Sequence, residues 1–308
     1  MFISCLASFV TRLRVARPMV VRPMSLFRAA LVCVMATAAG AASAAAATRG
    51  LEARLAAENA LFEEQYQAEL KAHPQRATAY GDYRYNGLLD EHSLAALAAE
   101  NAGNQRFLAR LVAISTEGFP EQDETSHEVM RRALQQRIDD YGYKEYEMPV
   151  SQMSGPHVSL ADLPLAVPLD SVAHYQDYLA RLRQIPRVFS QTEELLRAGM
   201  HDHLMPVRFL LEKVPTQCDG VIAADPFLLP IKNFPEGISA GDRERLSREI
   251  KDVVEAQVLP AYRAFGQFIA AEYAPRGRAE LAVASLPGGS GRYANDIRSR
   301  TTVSALNP

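Results

Sequence analysis

Several groupings of residues in this chain have types and spacings that could do chemistry. His127-Glu128 begins the pattern of a zinc motif in which two histidines four apart share a helical face while the intervening Glu acts as base. Position 131, where the second histidine would stand, is Arg, and a guanidinium that stays protonated has no lone pair for a metal. Thr125-x-x-Glu128 reads instead as a capping box at a helix start, which makes His127 a structural histidine of the first turn. His201-Asp202-His203 is the densest cluster of ligand types, but it falls between Gly199 and Pro206, in an expected loop without a third ligand. Cys218 has no adjacent His and is expected to be buried and inert. The run "SLPGGSG" from Ser285 lacks the Lys-Ser or Lys-Thr of a phosphate loop, and no Gly-x-Ser-x-Gly elbow occurs. The tyrosine-rich runs "AYGDYRYNG" and "DDYGYKEYE" could line a pocket, or form turns between helices with partly buried rings.

The elements that must position these residues are almost all helical. Leu51, Leu55, Phe62, Tyr66 and Leu70 mark a first helix that ends near His73-Pro74, because proline disfavours helical geometry in the residue before it. The run "LLDEHSLAALAAENAGNQRFLARLVAI" gives a second, and Met130, Leu134, Ile138 and Tyr141 continue a third from Thr125. A fourth runs from Asp170-Ser171 to Pro186, and a fifth from there to Gly199 as its C-cap. The longest opens at Ser239-x-x-Asp242, carries the stripe Leu246, Ile250, Val253, Phe265 and Phe268, and is expected to kink at Pro260. Only "GVIAAD" and "ELAVASLP" are strand candidates, short and at an edge. The fold class is mainly α, a large irregular helical bundle.

Charge excludes some functions. The 33 Lys and Arg are dispersed among 36 Asp and Glu, for a net charge of −3 over 308 residues, so no basic stripe points to nucleic acid. The N-terminal segment is different material. Arg12, Arg14, Arg17, Arg22 and Arg28 all precede the first acid, Glu52. From Met24 a short basic head, an apolar run and small residues around Ala42-Ser43-Ala44 have the layout of a secretory signal cleaved near Ala44 to Ala47. Residues 1–23 are then a mis-assigned upstream extension, 24–47 the signal, and 48–308 a helical domain; an Arg-rich organelle transit peptide is the rival. A stable membrane anchor needs about 20 apolar residues, more than this interrupted run supplies. The expected location is periplasmic or secreted. Cys5 and Cys33 leave with the signal, so no intrachain disulfide is expected around Cys218.

The passages "HPQRATAYGDYRYNGLLDEHS", "LRAGMHDHLMPVRFLLEKV" and "LPGGSGRYANDIRSRTTVSALNP", in that order, resemble the bacterial family known as domain of unknown function 885. The resemblance implies a largely helical, often secreted protein related to the zincin metallopeptidases, usually about twice as long, with its HExxH-type motif in a C-terminal half. On that footing the chain is the N-terminal half of a helical zincin-like metallopeptidase fold. It would be inactive alone and hold no cofactor itself, zinc belonging to the full-length members. Its partners would be a peptide-like substrate and the C-terminal half of the same domain.

Pro74, Ala77, Thr78, Gly81 and Asp82 match the family's first signature; Gly199, Pro206 and Arg208 the second; Pro287, Gly288, Gly289, Tyr293, Arg298, Thr301 and Thr302 the last. None carries a catalytic role over. Arg208, Tyr293 and Arg298 are the candidates for substrate contact, since an Arg and a Tyr beside a Gly-Gly loop can hold a peptide carboxylate. The structural alternative is an Arg that ties the loop to a neighbouring helix. Asn307-Pro308 reads as the start of a further helix, so the stripe from Leu246 to Phe268 is expected to leave an apolar face for the other half. A non-catalytic helical binding module, or an inactive truncated product, is the competing expectation.

Overall fold

The computed structural model describes residues 24–301, with side chains from 47 onward, and divides into two compact units, Met1–Ala53 and Arg54–Pro308. The expected upstream extension and the Asn307-Pro308 helix start lie outside the described residues. In the first unit the backbone is helical from Met24. Among the described residues no helix is long and apolar enough to cross a membrane.

The second unit is mainly helical, as the periodicity predicts. Its helices are the end of α1 (Met24–Ala72), α2 (Pro74–Ala79), α3 (Leu94–Val112), α4 (Glu121–Gly142), α5 (Pro156–Ser159), α6 (Leu163–Ala166), α7 (Val172–Leu182), α8 (Ile185–His201), α9 (Arg208–Leu211), α10 (Val214–Ala224), α11 (Ala240–Val253), α12 (Leu259–Phe268) and α13 (Gly289–Thr301). Serine side chains accept from backbone N–H groups at three starts: Ser93 from Ala96, Ser171 from His174 and Ser239 from Asp242. Each satisfies an amide the helix itself leaves unpaired.

Two apolar clusters hold the unit together. The larger joins α7, α8, α10, α11 and α12 through residues such as Tyr178, Leu182, Phe189, Leu246 and Phe265. Phe189 stacks on Phe265 at 4.6 Å and meets Tyr262 edge-on at 4.8 Å. The smaller is a three-helix seam of Leu61 from α1, Leu111 from α3 and Leu134 from α4. Fully burying each such side chain is worth roughly 1.5–3 kcal/mol, so the two clusters dominate the stability of the parts they join. The stripe expected to await another half is already used: Leu246, Ile250 and Phe265 are 0% exposed and Val253 and Phe268 6%.

The structure corrects several local expectations. α4 begins at Glu121 behind Pro120, with Glu121, Asp123 and Glu124 in its first turn, where acids complement the helix dipole. Thr125 therefore sits within the helix, donating to the carbonyl of Glu121 at 2.8 Å, and Glu128 bonds Arg131 rather than closing a capping box. α8 does not stop at Gly199. A Cβ there would lie 2.5 Å from the carbonyl oxygen of Glu147, so the glycine serves close approach, while the left-handed residue after the helix is His203, φ 59°. "GVIAAD" lies in α10 apart from its last residue, and "ELAVASLP" contains a single 3₁₀ turn, Val283–Ser285. Among the described residues the only β-pairing is one isolated bridge between Val207 and Arg278. Pro260 stands in the first turn of α12, directly after a wide π turn, Val254–Val258. That turn absorbs the backbone disruption a mid-helix proline causes.

Candidate functional site

A cleft of about 730 Å³ opens between the C-terminal end of α1, the small-residue face of α3, the segment 88–91 and the start of α8. Ala96, Ala99 and Gly103 project little from α3 and leave the space. The segment 86–92 that forms the opposite wall has no regular structure of its own beyond the short turn before it. Side chains of α8 and of its N-cap hold it in place. Gln184 accepts from the backbone N–H of Leu89 at 3.1 Å and donates to the carbonyl of Gly87 at 2.7 Å; Gln191 accepts from the N–H of His92 at 3.1 Å. Beneath it the buried guanidinium of Arg181 donates to Thr78 Oγ1 at 2.5 Å and the Pro74 carbonyl at 3.2 Å. Thr78 in turn bonds Asn86, which donates to Asp177. Burial pushes Arg181 down to about 10. The first family-like passage is thus a scaffold organised around one buried arginine.

His73, at the break between α1 and α2, fastens the cleft's walls together. Its Nδ1 faces Asp90 Oδ2 at 3.4 Å and its Nε2 faces Glu100 Oε1 at 3.3 Å. The hydrogen bonds to Asp90 and Glu100 raise it to about 9 against the opposing effect of burial, so the ring is an imidazolium at neutral pH with both N–H groups donating. It is no general base there and has no lone pair for a metal. Glu69 receives two hydrogen bonds from Arg137 of α4. Burial works to raise the Glu69 carboxyl, and Arg137, Gln65 and Arg76 together overcome it. Glu91 pairs with Arg187. Every carboxylate lining the cleft therefore has a cationic partner, whereas the lining cations Lys71 and Arg106 have none among the described residues. Such an arrangement can hold and orient an anionic group. It contains no paired nucleophile and base.

The other histidines are engaged or isolated. His127 is buried, its Nδ1 2.7 Å from Glu58 Oε1, which joins α4 to α1. His201 bonds Asp202 at 2.7 Å, and Asp202 also holds Lys144. Among the described residues no three His, Cys, Asp or Glu side chains converge as metal ligands, so a zinc ion has no fitting donor set in them. Cys218 is buried in the larger core, and burial, then Asp219, pushes its thiol up to about 12.

Arg208, Tyr293 and Arg298 do not line the cleft. Arg208 begins α9, its Nε donating to the carbonyl of Gly277 at 3.3 Å. Tyr293 is 45% exposed on α13. Arg298, on the same helix, bonds Asn295 at 3.2 Å and borders a recess of about 340 Å³ with Arg131, Arg132 and Asp139. The arginine that secures the Gly288-Gly289 loop is Arg292, buried, donating to the carbonyl of Pro287 at 2.9 Å with its guanidinium over the Tyr143 ring. Both tyrosine runs form turns. Tyr83–Tyr85 is a 3₁₀ turn, and Tyr141 stacks on Tyr146 at 5.1 Å.

Comparison with known proteins places this architecture. Residues 74–307 match the family described as bacterial protein of unknown function (DUF885). The chain belongs to the DUF885 family. No protein of curated function matches it. Among solved structures, this DUF885 chain is similar to a protein from Colwellia psychrerythraea provisionally described as a lipoprotein, with a TM-score of 0.72 at 15% identity. The likeness covers 82% of this chain and 47% of that one. It shows a shared fold, and this chain spans about half the length of that relative.

Proposed function

We propose that this chain is the ligand-holding, N-terminal portion of an extracytoplasmic hydrolase of metallopeptidase type, and that the cleft between α1, α3 and residues 88–91 receives a peptide-like substrate. The carrying observation is the charge arrangement of the cleft. Its carboxylates are all neutralised by partners, which leaves Lys71 and Arg106 to meet a carboxylate. Two further observations support the reading. The chain spans about half the length of the solved Colwellia psychrerythraea protein, in keeping with a larger family domain of which these residues form the ligand-holding portion. That relative is provisionally described as a lipoprotein, in keeping with the secretory layout of residues 24–47. This chain's own residues bind and orient; no chemical step is assigned to them. Tyr293 and Arg298, exposed on α13, and Arg208 are proposed to contact substrate that extends beyond the cleft.

A stand-alone binding module is the second reading, favoured by the complete burial of the Leu246 to Phe268 stripe within this chain. Both readings require the cleft to bind. Calorimetric titration of the full chain with unblocked dialanine at pH 7 tests it. The expected result is saturable binding that is lost in the Lys71→Glu, Arg106→Glu double variant. Undiminished binding in that variant, or none in the wild type at millimolar peptide, would overturn the proposal.

A further inference from the structure

Adjoining the cleft is a smaller recess of about 210 Å³ that shares Glu100, Asn104 and Arg137 with it. We propose that this recess is an ammonium subsite, taking the free α-amino group of the peptide-like ligand while the ligand's carboxylate faces Lys71 and Arg106. The inference rests on the peptide reading above and adds to it the ligand's direction.

Two unpaired amides point to a ligand. Asn104 is 8% exposed, its side chain makes no hydrogen bond among the described residues, and it borders both the cleft and the recess. Asn101, one turn earlier on the same face of α3, keeps a buried Oδ1 without a partner. Buried amide groups are ordinarily hydrogen-bonded, and a side-chain amide left open to a cavity offers one acceptor and two donors to whatever enters. An ammonium needs acceptors, and at the border of the recess the amide oxygen of Asn104 supplies one.

Charge gives the sign of the ligand. Arg137 is committed to Glu69, and Glu100 to His73. Asp140 accepts at Oδ1 from the amides of Gln136 and Asn295, each at 2.7 Å, but has no ion-pair partner among the described residues. Glu145 has as its nearest cation Arg292, at 3.9 Å; burial, then Asp296, raises its carboxyl. The recess is therefore left anionic, opposite in sign to the outer cleft. Tyr141 and Tyr146 add ring faces, and a cation gains from lying against them. Burial, then Tyr141, pushes the Tyr146 hydroxyl up to about 12, so that ring stays neutral. A metal ion is the poorer occupant, because no three acidic or histidine side chains converge there as ligands.

The test compares dialanine with N-acetyl-dialanine, which keeps the carboxylate and loses the amine, by calorimetry on the full chain at pH 7. The α-amino group, with a pKa near 8, is charged at that pH. Acetylation is expected to weaken binding at least tenfold. Glu145→Gln, at a side chain 49% exposed and so tolerant of exchange, should weaken dialanine binding and leave the acetylated peptide unchanged, and Asn104→Leu should weaken dialanine binding. Equal affinity for the two peptides overturns the ammonium subsite and leaves the peptide reading standing. So does a Glu145→Gln variant that binds dialanine as the wild type does. Binding of neither peptide overturns both.

Discussion

Replacing His73 with Gln removes the cation that joins the 86–92 segment to α3 and keeps a neutral side chain able to donate. The folded protein holds the imidazole at about 9 rather than its ordinary 6.5. At about 1.4 kcal/mol per tenfold change in proton affinity, the full shift corresponds to roughly 3 kcal/mol of stability. His73 is 23% exposed and Glu100 35%, and solvent screening of partly exposed pairs reduces this to about 1–2 kcal/mol. The sign follows from the direction. A raised histidine stabilises the fold fully below pH 6.5, and that contribution disappears as pH rises through about 9. Asp90 and Glu100 are lowered, Glu100 chiefly by its hydrogen bond to His73 and Asp90 by the same ring against the effect of burial. Their contribution holds above the usual carboxylate range and fades as pH falls through it. Urea unfolding of wild type and His73→Gln should therefore differ by about 1–2 kcal/mol at pH 6 and by a few tenths at pH 9.5. A gap that stays constant from pH 6 to 9.5, or an NMR titration of His73 with its midpoint below 7, would refute the clamp.

Phe265→Ala empties space in the larger core against Phe189 and His157 and should cost about 3–5 kcal/mol in the same unfolding assay. Gly199→Ala forces a Cβ against the Glu147 carbonyl and should destabilise by about 1–3 kcal/mol, despite alanine's better helix propensity. The Cys218 thiol, buried and pushed up to about 12, should react with a disulfide reagent at pH 8 only on addition of denaturant.

Where chemistry is local, the fold was legible in the chain. Ser171 and Ser239 were readable as helix starts because a short hydroxyl before an apolar period has one good use there. Pro74 marked the end of α1 for the same kind of reason. Thr125-x-x-Glu128 misled because the acids at 121, 123 and 124 and the proline before them start the helix one turn earlier, and a capping pattern inside a helix has nothing to cap. Gly199 looked like a helix stop, while its real constraint is a carbonyl from a turn more than fifty residues away in sequence.

The cleft was hardly legible at all. His73 reads as the residue before a proline, and only the folded chain brings it to Asp90 and Glu100. Asn101 and Asn104 look like ordinary members of an alanine-rich helix. The available signal was their spacing of one turn beside Ala96, Ala99 and Gly103, a polar pair on a face too small to fill its own groove. The family-like passage at 73–93 was visible, but its polar residues turn out to surround Arg181, which that passage does not contain.

The most direct test of the account is to locate a bound peptide by NMR, following the side-chain amide resonances of the full chain as dialanine is added. The cleft reading predicts that the amides of Asn101 and Asn104 and the His73 ring shift together with a single binding constant, while Tyr293 and Arg298 stay within noise for so short a ligand. Shifts confined to α13, or to the surface around Arg208, with Asn101 and Asn104 unmoved, would contradict it.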